Sequence, residues 1–154
     1  AKLSIDYPFH FRFIEYMPVG TTLPWDRAKF MSAAEIKGRL EVFGSLIPVP
    51  RSRLDGPSER YRFEAGKGEI GLIGAVSNHF CHTCNRLRLT ADGKLRPCLL
   101  SDDEIDVKTA LRADSSDKEL QGLILSAAAR KTETRRLSNG GIRHDGRSMS
   151  GIGG

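Results

Sequence analysis

Cysteine is scarce in this chain: Cys81, Cys84 and Cys98 are the only three among 154 residues. So small and odd a set cannot build a disulfide framework, so a cross-linked extracellular scaffold is set aside and a reducing, cytoplasmic setting is expected. No apolar run approaches the roughly 18 residues that a membrane span requires, and no membrane partner is expected. Nothing at the start reads as a secretory leader. Aromatic residues make up only 7% and gather near the N-terminus. They are not interleaved with basic residues as a single-stranded nucleic-acid surface requires. Also missing are a nucleophile elbow, a Walker loop, a dinucleotide fingerprint and internal repeats. What remains fits one folded domain of ordinary size, 39% hydrophobic and 28% charged. Its formal charge of +5 favours acidic partners such as phosphates.

Residues 9–17, FHFRFIEYM, alternate as a strand, with Phe9, Phe11 and Phe13 on one face and His10, Arg12 and Ile14 on the other. A charge such as Arg12 between phenylalanines must reach solvent, a partner or a ligand. Glu15, on the other face from Arg12, reads as a structural acceptor. Pro18, Gly20 and Pro24 break the backbone. An aromatic strand so close to a first residue that is not Met is expected to be either an edge strand or one whose neighbours lie in a longer polypeptide. Ser32 with Glu35 forms a capping box, and Ile36, Leu40 and Phe43 make the apolar stripe of the helix that Gly44 ends. Strands are expected at 46–49, around Tyr61 and Phe63, and at 69–76, with 51–59 as a loop and Gly66 and Gly68 at a turn. Gly71 and Gly74 indicate close packing, a bulge or a close ligand approach. Residues 86–90 and 95–99 form a hairpin around Ala91-Asp92-Gly93-Lys94, with Lys94 and Arg96 facing solvent. Asp102 or Asp103 caps a helix to about Leu111. Ser115 or Ser116 caps another that buries Leu120, Leu123, Ile124 and Ala127. From Arg130 the pattern dissolves into a basic tail, expected to be mobile, that ends Gly153-Gly154.

The chemistry concentrates in C-x2-C-x13-C, with Arg86 and Arg88 directly after the second cysteine. The hairpin folds the long insertion back and allows the three sulfurs to meet. Structural zinc takes four ligands, and His79, His82 or His144 would have to supply the fourth. Alternatively the vacancy is real: an iron–sulfur cluster on three thiolates keeps one iron for substrate, whereas electron-transfer clusters usually have a full protein shell. Zinc, iron–sulfur and buried inert thiols all remain open on spacing alone. Arg86 and Arg88, two apart on a strand, share a face and can grip phosphate oxygens, or form an ordinary solvated face.

The runs RFIEYMPVG and FCHTCNRLRLTADGKLRPCL and the terminal Gly-Gly together resemble the C-terminal part of the GTP 3',8-cyclase family of molybdenum-cofactor biosynthesis. The resemblance covers essentially the whole chain. It implies an α/β fold: a C-terminal fragment of an incomplete TIM-like barrel, in which a late barrel strand precedes an α+β cluster-binding domain. Residues 1–30 would be the strand and its connection, 31–129 the cluster domain and 130–154 the tail. The family uses radical S-adenosylmethionine chemistry to join C8 of GTP to C3'. By resemblance, Cys81, Cys84 and Cys98 hold a [4Fe–4S] cluster whose open iron binds the substrate. Arg86 and Arg88 reach GTP, Arg12 faces the active-site cavity toward substrate or cofactor, Met17 lines the S-adenosylmethionine site, and the tail threads toward the active site. Family proteins are commonly homodimers. The C-x3-C-x2-C motif of the radical-generating cluster is absent, so this chain alone is expected not to turn over GTP. A zinc-stabilised nucleotide- or RNA-binding module without catalysis is the alternative.

Overall fold

The computed structural model describes residues 1–17, 26–50, 56–131 and 151. The predicted breaks at Pro18, Gly20 and Pro24, the start of the loop at 51–55, His144, the tail from 132 to 150 and its Gly-Gly end lie outside these residues. The chain divides into two compact units: Ala1–Met17 with Asp26–Thr83 form the first, and the second begins at Cys84.

The first unit opens with a short helix, α1 (Lys2–Asp6), that sequence reasoning did not anticipate. Ser4 is buried and its hydroxyl donates to Ala1 O at 2.7 Å, which fastens the turn. Strand β1 (His10–Ile14) follows and is five residues long. Its Phe11 and Phe13 pack on the core while His10, Arg12 and Ile14 are exposed, as the alternation requires. Phe9 lies before the strand and is half exposed. Helix α2 (Ala33–Leu40) begins at the expected reciprocal capping box: Glu35 N donates to Ser32 Oγ at 3.2 Å and Ser32 N to Glu35 Oε2 at 2.8 Å. Its Leu40 is buried, but Phe43 falls on the following 3-10 turn and is half exposed.

Strands β2 (Leu46–Pro48), β3 (Glu59–Phe63) and β4 (Glu69–Ile73) complete a four-stranded sheet in the order β1-β4-β3-β2. β1 pairs with β4 in parallel, Arg12 opposite Gly71, and the other pairs are antiparallel. Leu40, Leu46, Phe63, Ile70 and Leu72 form the buried core. Each such side chain contributes about 1.5–3 kcal/mol when removed from water.

β4 is paired on both sides at Gly71, which excludes a bulge there. The reason for that glycine is close packing: a Cβ would stand 2.4 Å from Ser58 Oγ and 3.1 Å from Arg12 Cγ. Gly68 is more constrained. Its N–H donates to Ser4 O at 2.8 Å, and a Cβ there would lie 2.1 Å from Phe9 O and 2.8 Å from Tyr7 O. Main-chain atoms cannot rotate aside, so Gly68→Ala must push the segment from Tyr7 to Phe9 away from the start of β4. It is expected to cost about 3 kcal/mol, read as a lower urea midpoint at unchanged m.

The second unit carries the expected hairpin. β5 (Arg88–Leu89) and β6 (Lys94–Arg96) pair antiparallel around a turn in which Gly93 has φ +84°. Thr90 Oγ1 accepts from Lys94 N at 2.9 Å and closes that turn. The strands are shorter than the pattern suggested. Arg86 precedes the first, and Cys98 lies two residues beyond the second rather than on it.

A third strand, β7 (Ile105–Asp106), extends the sheet where sequence reasoning expected a helix capped at Asp102 or Asp103. Helix α3 (Lys108–Arg112) begins only afterward, and Asp106 accepts from Thr109 N at 3.0 Å. Ile105 is buried against the sheet, so the hydrophobic residue that suggested a helix is a strand residue. Helix α4 (Asp117–Ala129) starts at the anticipated Ser116, with Glu119 completing the capping box. Ala127 is fully buried, but Ile124 is 48% exposed, contrary to the expected stripe. Both units mix helices with sheet, an α/β arrangement. Among the described residues no helix is long and apolar enough to cross a membrane.

Candidate functional site

In the first unit Arg12 is exposed on the face of β1 opposite the core. It lines a cavity of about 300 Å³ with His10, Ser58, Arg60 and Ile73. Arg60 is committed to Glu69 through Nε and Nη2 bonds of 2.8 and 2.9 Å. Met17 is partly buried three residues beyond β1.

Below the strand's end, Glu15 is 2% exposed and gathers four donors. Ala33 N donates at 2.7 Å, Val76 N at 2.7 Å and Ser77 N at 2.8 Å, and the Ser77 hydroxyl donates as well. Burial pushes this carboxyl's pKa up, but the Ser77 hydroxyl and the three amides outweigh it and leave the pKa below the ordinary value. Glu15 thus ties the end of β1 to the start of α2 and to the segment leading toward Cys81, in keeping with its reading as a structural acceptor. Cys81 itself sits on a 3-10 turn, Cys81–Thr83, at the end of this unit.

The second unit brings together Cys84, Cys98, Arg86 and Arg88. Cys84 and Cys98 are partly exposed, free thiols, as is Cys81. Burial pushes the Cys84 thiol pKa up. The Arg86 backbone N–H and guanidinium and the charge of Lys131 more than reverse this and leave it below the usual thiol range. A lowered pKa favours thiolate, the form that ligates metal. Leu100 N donates to Cys98 Sγ at 3.4 Å. Arg88 is half-buried; burial and then the charge of Arg86 lower its pKa, and Cys98 and Cys84 act in the opposite direction. Two guanidiniums held near each other repel, and an anion bound beside them relieves that cost.

Two residues here differ from the sequence reading. Arg96, expected to face solvent, is 2% exposed. It donates to Glu104 Oε1 at 3.1 Å, to Asp102 Oδ1 at 3.4 Å and to the Ser101 carbonyl. It is buried because β6 lies between β5 and β7, and the 101–104 turn after Cys98 folds over its guanidinium. Lys94 is partly exposed and pairs with Glu104 at 3.1 Å. The residue that sequence reasoning missed is Lys131, just past α4, whose Nζ stands 3.6 Å from Cys84 Sγ. Nothing in the basic composition of the tail distinguishes it.

His79 and His82 are exposed. Among the described residues no three His, Cys, Asp or Glu side chains assemble as a group that could hold a metal ion. The donor chemistry of the second unit is that of a soft-metal site, which zinc and iron–sulfur groups both suit. It offers soft sulfur ligands, one with its thiolate favoured, next to cationic side chains that offset negative charge.

Residues 9–137 match the Molybdenum Cofactor Synthesis C family. The chain is 46% identical over 154 residues to a GTP 3',8-cyclase of Moorella thermoacetica, a match covering 100% of the chain and 47% of that protein. It is 42% identical over 154 residues to one of Syntrophomonas wolfei, again covering 100% and 47%. One of Thermodesulfovibrio yellowstonii is 46% identical over 126 residues, 81% of the chain and 38% of the relative. The chain spans about half the length of the curated relatives it matches across its full extent.

Proposed function

The chain belongs to the Molybdenum Cofactor Synthesis C family, and from that premise we propose that it is the GTP-binding, C-terminal portion of a radical S-adenosylmethionine cyclase. The complete enzyme would convert GTP to 3',8-cyclo-7,8-dihydroguanosine 5'-triphosphate, the first step of molybdopterin formation. The observation that carries the reading is the second unit's neighbourhood of Cys84, Cys98, Arg86 and Arg88, soft ligands beside paired guanidiniums.

In this reading Cys81, Cys84 and Cys98 hold a [4Fe–4S] cluster. When bound, that group supplies an iron with an open position for guanine. The chain's own residues do the rest. Arg86 and Arg88 take the phosphates, for which a pair of planar guanidiniums is suited. Arg12, exposed on β1, faces the barrel cavity toward substrate or cofactor, and Met17 borders S-adenosylmethionine. Among the described residues β1 lies at the edge of its sheet, and Ile14 is 55% exposed, which suits a barrel strand whose neighbour lies elsewhere in the enzyme. Residues 1–30 then supply a late barrel strand and its connection, 31–129 the cluster domain, whose β2, β3 and β4 share the sheet of β1, and 130–154 the basic tail. The radical-generating cluster belongs to the remaining half, and the complete enzyme acts as a cytoplasmic homodimer.

Anaerobic reconstitution with iron and sulfide tests this reading. A brown protein with about four irons per chain is expected, and GTP should alter the electron paramagnetic resonance spectrum of the reduced cluster. With S-adenosylmethionine and reductant added, the 154-residue chain should form no cyclised GTP. A colourless protein holding one zinc, even after reconstitution, overturns the cluster assignment. Cyclised product from this chain alone overturns the division of labour.

A further inference from the structure

We propose that Lys131 is a positioning residue of the cysteine site: its ammonium joins the loops that carry Cys84 and Cys98 and hydrogen-bonds the Cys84 sulfur. The inference rests on the reading of these cysteines as cluster ligands and extends it to a residue outside the motif.

The geometry is specific. Lys131 Nζ donates to Arg86 O at 2.6 Å, to Pro97 O at 3.2 Å and to Cys84 Sγ at 3.6 Å. An ammonium has three donors, and three acceptors face it. Arg86 lies two residues after Cys84, and Pro97 immediately precedes Cys98. One cation therefore spans both ligand-bearing loops, which hairpin pairing alone would leave linked only through β5 and β6. Lys131 reaches this place because α4 ends at Ala129 and Lys131 N turns back onto Ala128 O at 3.1 Å. The nearby arginines have other settings: Arg96 is engaged with Glu104, Asp102 and Ser101, while Arg86 and Arg88 lie on the first loop and β5.

A donor and a positive charge on a ligating sulfur withdraw electron density and favour the reduced cluster, so they raise its potential. Holding both loops also preserves ligand geometry, and removing such an outer contact typically lowers metal affinity about 10- to 100-fold.

The test uses the 154-residue chain, reconstituted anaerobically, as wild type, Lys131→Met, Lys131→Arg and Lys118→Met. Lys118 is an exposed lysine on α4, the helix that precedes Lys131, and serves as a control. Iron content is measured first, then the midpoint potential by spectroelectrochemistry, then iron loss to a chelator. Circular dichroism of the metal-free forms verifies folding. Lys131→Met is expected to lower the midpoint potential and weaken iron retention about 10- to 100-fold. Lys131→Arg should recover part of the potential shift, and Lys118→Met should match wild type. An unchanged potential in a folded, iron-loaded Lys131→Met protein overturns this proposal and leaves the cluster reading standing. A wild-type chain that takes up no iron overturns both, which the first measurement already distinguishes.

Discussion

Serine at Cys84 and Cys98 is expected to reduce iron retained after reconstitution from about four per chain to below one. The brown absorbance should disappear with it. The substitution is nearly isosteric and acts on ligand chemistry. A thiolate is soft and accessible near neutral pH, whereas a serine hydroxyl is hard and stays protonated. The Cys84 site favours the charged sulfur through Arg86 and Lys131, and that electrostatic setting offers a neutral hydroxyl no comparable gain. Both cysteines are only partly buried, so the metal-free fold should change in stability by no more than about 1 kcal/mol. Unchanged iron content in the double variant would remove these residues from the ligand set. Alanine at His79 or His82, both exposed, should leave iron content unchanged if three cysteines suffice.

Glu15→Ala is expected to destabilise the first unit by about 3–5 kcal/mol, the range for removing one partner of a buried, charge-assisted network. The loss strands the amides of Ala33, Val76 and Ser77 and the Ser77 hydroxyl, all now satisfied by one carboxylate. Glu15→Gln tests the charge separately. Its amide must turn a donor toward groups that are themselves donors, so it should recover only part of the loss.

The pH dependence has a definite sign. The folded pKa of Glu15 is depressed, so its contribution is fully present above the unfolded value of about 4.3 and is lost as pH falls through the folded pKa. Urea midpoints measured below about pH 4.3 should therefore converge for wild type and Glu15→Ala. A constant gap across that range would show that cavity formation, rather than the ionised carboxylate, accounts for the difference.

Local signals were legible where they were self-contained. Both capping boxes, Ser32 with Glu35 and Ser116 with Glu119, satisfy their own helix ends and need no distant partner. The alternation of Phe11 and Phe13 against His10 and Arg12 gave the orientation of β1 for the same reason. The reading failed where a residue's environment comes from far along the chain. Ile105 has the same hydrophobic character in a helix or a strand, and pairing with β6 settles it as β7. Arg96 has the composition of a surface residue. It is buried because the 101–104 turn supplies acceptors that sequence spacing alone does not place. Gly71 had three possible meanings, and the regular pairing of β4 on both sides, with Ser58 and Arg12 against it, selected close packing.

By itself the sequence determined the helix starts, the hairpin and the set of three cysteines followed by two arginines, because each depends on residue type at short spacing. Together with the likeness to its relatives, that spacing also determined the family. Only the tertiary structure decided how those cysteines are surrounded. Repulsion between Arg86 and Arg88, the lowered pKa of Cys84 and the arrival of Lys131 all depend on through-space distances. Charge acts across space rather than along the chain. A lysine 47 residues from Cys84 therefore acts on its sulfur alongside the arginine two residues away.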